Sequence, residues 1–526
     1  MPAVKKHRLL RQEKELTYSD VKDEEVNILN ELQYFEKQTE FITGLAKREG
    51  WIKSIVAHHL NIKPSRCNIA DSAEWLKGSF NVCIPVTVQG WRGDQPQHRV
   101  LLRVPLPFKL GEAFRPGNAD EKIRCEAGTY AWLQENHPDI PIPQLYGFSL
   151  SSGETFTMIG NLPLLTRLYH RTYRQILSWI NRFIWSDHAI LSQYVRHPIA
   201  VPPDLGYILI ECIEPNRGRM LSDTWANYSN NTTLRTTLFQ SLARIMLSLA
   251  RVPLPKIGSF IIDNNGFILL SNRPLTLEIQ QLENDEIPTD IPRDYIYSTT
   301  DSYITDIIGI YNNRLRYQPN AINNGSDFIQ QATVLTATRV SSPLFFQRDL
   351  RRGPFIFCLT DLHQSNIFVD KNWNITSLVD LEWGCSLPIE MIHPPYWLTG
   401  KFVDTIKEDE YKRLWTEFIQ ILAQEELDTK REPLLSTIMT RGWEIGTFWY
   451  SLALQNPFAI FRLFIDRIQT RLIREDIYEL YEQEYGLIMA SHWAFDITET
   501  MNKKVEDRRE YDNKLRHTFG EPALCE

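Results

Sequence analysis

One stretch of 27 residues, Phe357 to Trp383, constrains this chain more than any other. It reads F-C-L-T-D-L-H-Q-S-N-I-F-V-D-K-N-W-N-I-T-S-L-V-D-L-E-W. The apolar run Phe355 to Leu359 feeds into Asp361, and a second run, Ile367 to Val369, starts directly after Asn366. Runs of that length bounded by polar residues predict two strands bracketing a tight loop. After a turn at Asp370 to Asn374, a third short strand, Ile375 to Val379, delivers Asp380 at its end. Two carboxylates and an amide carried at strand ends in polar loops can converge on one point. Oxygen ligands of that kind suit magnesium, which usually arrives with a nucleotide phosphate.

The spacing sharpens this. Asn366 lies five residues after Asp361 and Asp380 nineteen after it, the order of an Asp base, a metal-binding Asn and a metal-binding Asp in kinase-type phosphoryl transfer. In wording, the segment resembles the catalytic loop of the aminoglycoside phosphotransferase and choline kinase family, a branch of the protein-kinase-like fold, and it is most similar to the large fungal group of that family. A polar hairpin loop in an unrelated domain is the alternative. The resemblance implies an α+β, two-lobe protein: a small antiparallel-sheet N-lobe, a large mainly helical C-lobe, and ATP and Mg2+ bound between them. It implies that Asp361 orients the acceptor hydroxyl and accepts its proton, and that Asn366 and Asp380 hold magnesium. His363 and Glu382 would contact substrate or brace the loop.

Length and composition fit such a protein. A chain of 526 residues is too long for one compact core, so two or three lobes are expected. Lys and Arg number 57 against 65 Asp and Glu, with no basic block, which argues against nucleic acid as the partner. Seven scattered cysteines without a C-x-x-C pair suit reduced thiols in a cytosolic compartment. The basic residues of Met1 to Glu15 have no apolar run behind them, against a secretory signal, and Glu13 and Glu15 disfavour a mitochondrial presequence. The most apolar window, Thr447 to Ile465, is broken by Gln455, Asn456, Pro457 and Arg462, so a buried helix pair is expected there and no membrane span.

Along the chain, residues 1–66 read as an N-terminal helical extension. An apolar stripe of Ile28, Leu29, Leu32, Phe35, Phe41, Ile42 and Leu45 is interrupted at Gly50. From Cys67 the period changes to two, opening an N-lobe over 67–213. The turn Lys77 to Asn81 reads as a hairpin; by resemblance it is the loop over the ATP phosphates, with its backbone N–H groups and Ser79 as donors and Asn81 among its nucleotide-binding residues. The strand Val100 to Pro105 carries Arg103 where the fold puts its phosphate-holding cation. The helix Asp120 to Asn136 carries Glu126 where the fold puts the acid that pins that cation. Read without the family, Arg103 and Glu126 are an ordinary surface pair. Residues 151–204 read as a helical hairpin inserted in the lobe, its aromatic stripe as packing. The strand Gly206 to Ile213 is by resemblance the hinge, with backbone groups near Glu211 to Ile213 contacting adenine. A helical C-lobe follows over 214–516, including the catalytic stretch 357–383, and 517–526 form a tail. The words K-I-G-S-F at Lys256 and N-R-P-L-T at Asn272 also resemble the fungal group.

Three departures from the family pattern stand out: Leu359 where many members have His, Arg103 in place of Lys, and Leu381-Glu382-Trp383 after Asp380 where protein kinases have Phe-Gly. The leading expectation is an ATP-dependent phosphotransferase acting on a small hydroxylated or aminated molecule. The alternative is a weakly active or inactive kinase-like binding protein, connected with mitochondrial maintenance as some fungal relatives are thought to be. The sequence leaves the acceptor and the oligomeric state open.

Overall fold

The structure, a computed structural model, describes residues 7–9, 14–91, 97–184, 190–199, 204–429 and 434–522. Two helices, α1 (Tyr34–Ala46) and α2 (Glu49–Leu60), precede the sheet. The break between them falls at Lys47 and Arg48, whereas the sequence suggested Gly50. Gly50 lies inside α2, where an added Cβ would meet nothing.

Eight strands then build one antiparallel sheet: β1 (Cys67–Ile69), β2 (Leu76–Lys77), β3 (Asn81–Gln89), β4 (Gln97–Pro105), β5 (Leu145–Ser149), β6 (Thr155–Met158), β7 (Tyr194–Arg196) and β8 (Tyr207–Glu211). Their order is β7-β6-β5-β8-β4-β3-β1, with β2 paired to β3. Alternation decides what each face carries. Val82, Ile84, Val86, Leu102 and Val104 bury against α2 through Ile52, Ile55 and Val56. Leu101 and Arg103 therefore point the other way, towards α3 (Asn118–Asn136), whose Ile123, Ala127, Tyr130 and Leu133 pack with Leu145, Phe148, Ile208 and Ile210. Glu112 caps α3, accepting from the backbone N–H groups of Gly117 and Ala119. At Gly128 the helix approaches a C-lobe strand so closely that a Cβ would lie 2.2 Å from Phe260 O.

The insertion is not a helical hairpin. It contains β6, one long helix α4 (Leu164–Ile184) and β7, and β6 and β7 extend the sheet. Strands of four and three residues are too short for periodicity to reveal; of the aromatic stripe, Tyr194 packs in the core as expected and Tyr173 is exposed, while the side chains of 178–189 lie outside the described residues.

The remainder is mainly helical, and the described residues form the α+β arrangement expected, an antiparallel sheet followed by a mainly helical part. A short strand β9 (Arg219–Met220) leads into α5 (Thr232–Ala250), the hairpin β10 (Ser259–Ile262) and β11 (Phe267–Asn272), then α6 (Leu277–Asn284), α7 (Thr300–Tyr317) and α8 (Gly325–Phe345). α8 runs through Pro343. The Arg339 carbonyl that Pro343 cannot bond accepts the Ser342 hydroxyl at 3.2 Å instead. In the core Trp415 stacks on Trp443, Trp449 packs tilted against Trp443, and Phe448 meets Trp449 edge-on. No helix among the described residues is long and apolar enough to cross a membrane.

A buried charge network ties α3 to the C-lobe. Arg273, fully buried, reaches Glu121 on α3 at 2.8 Å and Glu283 on α6 at 2.6 Å, while Asn272 donates to Glu121 at 3.0 Å. This is the structural content of the word N-R-P-L-T. Removing one member of such a network strands the other charges without water. Arg273→Met is expected to destabilise the protein by about 3–5 kcal/mol, read as a lower midpoint in urea unfolding.

Candidate active site

The stretch 355–383 folds as the three expected strands, Phe355–Leu359, Ile367–Val369 and Ile375–Leu378, with the turn at Asp370 to Asn374. β12 (Phe355–Leu359) pairs with β15 (Gly384–Pro388). β13 (Ile367–Val369) pairs with β14 (Ile375–Leu378) and with β9. The turn between β13 and β14 is built by Asp370, whose carboxylate accepts from the N–H groups of Asn372 and Asn374. Trp373, in the left-handed region, drives its ring against Trp225 at 5.6 Å. Thr360 donates both N–H and hydroxyl to Trp383 O, at 3.1 and 2.7 Å, closing the loop onto the turn after Asp380. Asp380 has φ 63° and ψ 57°, a conformation that Asp tolerates better than most residues and that few positions require.

Ser79, Asn81, Arg103, Glu211, Ile213, Asp361, His363, Asn366, Asp380 and Glu382 all line one cleft of about 470 Å³ between the sheet and the helical lobe. Glu126 lies behind it, 1% exposed, with its carboxylate 2.9 Å from Arg103 Nη1. Arg103 also bonds Asp380 Oδ1 and, at 3.0 Å, Glu382 Oε2. Burial pulls the Arg103 pKa down, but Glu126, Asp380 and Glu382 outweigh it and hold the guanidinium charged. Burial likewise pushes Glu126 up to about 7 against the pull of Arg103 and Lys122. A planar fork can meet three carboxylates at once, which a single ammonium does less well.

Lys122 escaped the sequence reading. Fully buried one turn before Glu126, its Nζ lies 2.5 Å from Glu382 Oε2 and donates to Asn81 Oδ1 at 2.8 Å. Asn81 in turn donates to Glu382 at 2.7 Å. The Asn81 side chain is thus held inside the network, and of the two roles expected for Glu382, substrate contact or loop bracing, its bonds to Arg103, Lys122 and Asn81 are those of a brace. Glu211 and Cys212 bond their N–H groups to Gln144 O and Arg99 O, and the Glu211 carboxylate holds Arg217 at 2.6 Å, so neither amide is available to a base. Glu211, Cys212 and Ile213 all line the cleft.

Asp361 is partly buried, and its backbone carbonyl accepts from Asn366 Nδ2 at 2.8 Å. Burial, with Asp380, Glu382 and Glu278 nearby, pushes its carboxyl up to about 7, and the Asn366 amide offsets only part of that. His363 is pushed below its ordinary value by burial, its ring 6.0 Å from Trp397. Trp397 fixes the loop from below by donating to Leu362 O at 2.7 Å.

The residues present fit a nucleotide-borne divalent cation. Asn366 turns its Nδ2 towards Asp361, which leaves the amide oxygen facing elsewhere, and Asp380 is the most exposed carboxylate of the network. Four carboxylates, Glu126, Asp361, Asp380 and Glu382, face two cations, Arg103 and Lys122, a local excess that a divalent ion would offset. Among the described residues no three His, Cys, Asp or Glu side chains group as metal ligands. Two protein oxygens are too few to hold magnesium unaided and suit an ion that brings phosphate ligands with it.

No protein-family model and no curated protein matches the chain. Solved structures similar to it include an ethanolamine kinase from Plasmodium vivax, 13% identical with a TM-score of 0.35, covering 84% of this chain and 85% of the other. A macrolide 2′-phosphotransferase type I is 11% identical with a TM-score of 0.31, covering 81% and 90%. Likenesses that remote decide nothing about the chemistry of this chain, whose site is read from its own residues.

Proposed function

We propose that the protein transfers the γ-phosphoryl group of ATP to a hydroxyl of a small molecule. The observation that carries this reading is the convergence, in one cleft, of an Asp with a raised pKa, an Asn–Asp pair on the cleft wall, and a cation pinned by a buried acid on α3. Arg103 would hold the α- and β-phosphates, and Asn366 and Asp380 would hold Mg2+, which supplies charge neutralisation at the transferring phosphoryl group. Asp361 would orient the acceptor hydroxyl and take its proton; a pKa near 7 suits that task at neutral pH. His363, neutral at that pH, stands at the acceptor side of the cleft with Leu277 and Gln281 of α6. The cytosol is the compartment proposed, on the reduced-thiol reading of the sequence.

One observation favours a competing reading, a kinase-like binding protein without turnover: Arg103 bonds Asp380 directly and occupies one of its oxygens. The two readings part in a single assay. The purified protein is incubated with Mg-ATP and pooled hydroxylated metabolites, with ADP release and phosphorylated products followed, and Asp361→Asn as the blank. A product formed by wild type and not by the variant supports transfer. ADP release equal in both proteins with every pool overturns it.

A further inference from the structure

The helix α4 turns its apolar side outwards. Leu164, Leu165, Leu168, Tyr169, Tyr173 and Ile176 fall within one half of a 3.6-residue helical wheel, and all are exposed, Leu165 by 84% and Leu164 by 72%. The side that faces the protein is held by arginines. Arg174, 8% exposed, donates to the carbonyls of Ser192 and Gly266, and Arg167 donates to Leu162 O at 3.0 Å. Arg171 and His170 lie at the two edges of the apolar half. Between Glu154 and Asp187 the chain has no acidic residue, although its net charge is −8 overall. A helix built for the core would bury those leucines, and a helix built for water would not carry them.

We infer that α4 is a membrane-surface helix, which lays Leu165, Leu168, Tyr169 and Ile176 into the headgroup boundary of an anionic bilayer while Arg171 meets its phosphates. An amphipathic helix with a basic rim lies in the plane of such a surface, and tyrosines are at home at that depth. Charge selects this occupant. The rest of the protein is acidic and repelled by anionic lipid, so a local stretch without acids is what contact would need. A second copy of the same face would set arginine against arginine. The inference stands apart from the phosphotransfer reading, because none of these residues lines the cleft.

The test is flotation of the full chain with phosphatidylcholine vesicles and with vesicles that contain roughly one-third phosphatidylserine. Wild type is expected to float with the anionic vesicles only, and to be released by high salt. The triple variant Leu165→Glu, Leu168→Glu, Ile176→Glu is expected to float about tenfold less. These side chains are solvent-exposed, so its melting temperature should match wild type. Arg171→Glu, which leaves the apolar face whole, keeps the test open should the triple variant misfold, and is expected to weaken binding at low salt only. Wild type that stays unbound to both vesicles overturns the inference, as does floating by Arg171→Glu or the triple variant indistinguishable from wild type. A dimer abolished by the triple variant, with no flotation, gives the face to a second copy and also overturns it.

Discussion

Asp361→Asn is expected to reduce acceptor phosphorylation by about 10²–10⁴-fold, leave Mg-ATP binding intact, and make the unliganded protein more stable at pH 8. The first two effects follow from its role as base. The third follows from its pKa, which burial and neighbouring carboxylates raise from 3.8 to about 7. Between those values the folded state binds the proton that the unfolded state has lost, so the stability Asp361 contributes below pH 4 disappears as pH rises through 7. At full burial a shift of that size corresponds to about 4 kcal/mol; for a partly exposed group about 1–3 kcal/mol is expected. Denaturant midpoints of wild type and variant should therefore diverge from pH 5 to pH 8, with the variant higher. Equal midpoints at pH 8 would mean that the carboxylate is not strained by its surroundings.

Arg103→Met is the second large effect. Removing the fork leaves Glu126, Asp380 and Glu382 facing one another with only Lys122 in their midst. A buried charge cluster deprived of one partner is destabilised by about 3–5 kcal/mol, and nucleotide affinity should fall with it. Arg103→Lys keeps the charge but can satisfy fewer of the three acids, so its stability should lie between wild type and Arg103→Met. Urea unfolding of the three proteins orders them directly. Arg103→Met as stable as wild type would show that the network does not hold the cleft together.

The parts of the site that were legible in the sequence are those held close along the chain. Asp361, Asn366 and Asp380 sit within twenty residues, where turn chemistry and strand length fix their relative places. Arg103 stood out only through the family resemblance, although Leu102 and Val104 on either side demand the opposite face. Lys122 was not legible, since a lysine on an amphipathic helix ordinarily reads as solvated; its one signal was the four-residue spacing to Glu126. The commitments of Asn81 and Glu211 depend on partners 301 and 67 residues away, which no local pattern records. The insertion was misjudged for a related reason. Leucines and tyrosines at helical spacing look alike whether they face a core or the outside, and only the arginine anchors beneath α4 distinguish the two.

The claim that the cleft holds a magnesium-bound nucleotide is tested most directly by the melting temperature in ATP, with magnesium and with chelator. A ligand bound by the native state alone stabilises it by about 2.7 kcal/mol at a hundredfold excess over Kd. Mg-ATP is predicted to raise the melting temperature of wild type and of Asp361→Asn, and to raise that of Asp380→Asn much less, with the shifts lost in chelator. A wild-type melting temperature unmoved by ATP with any divalent cation would contradict the account.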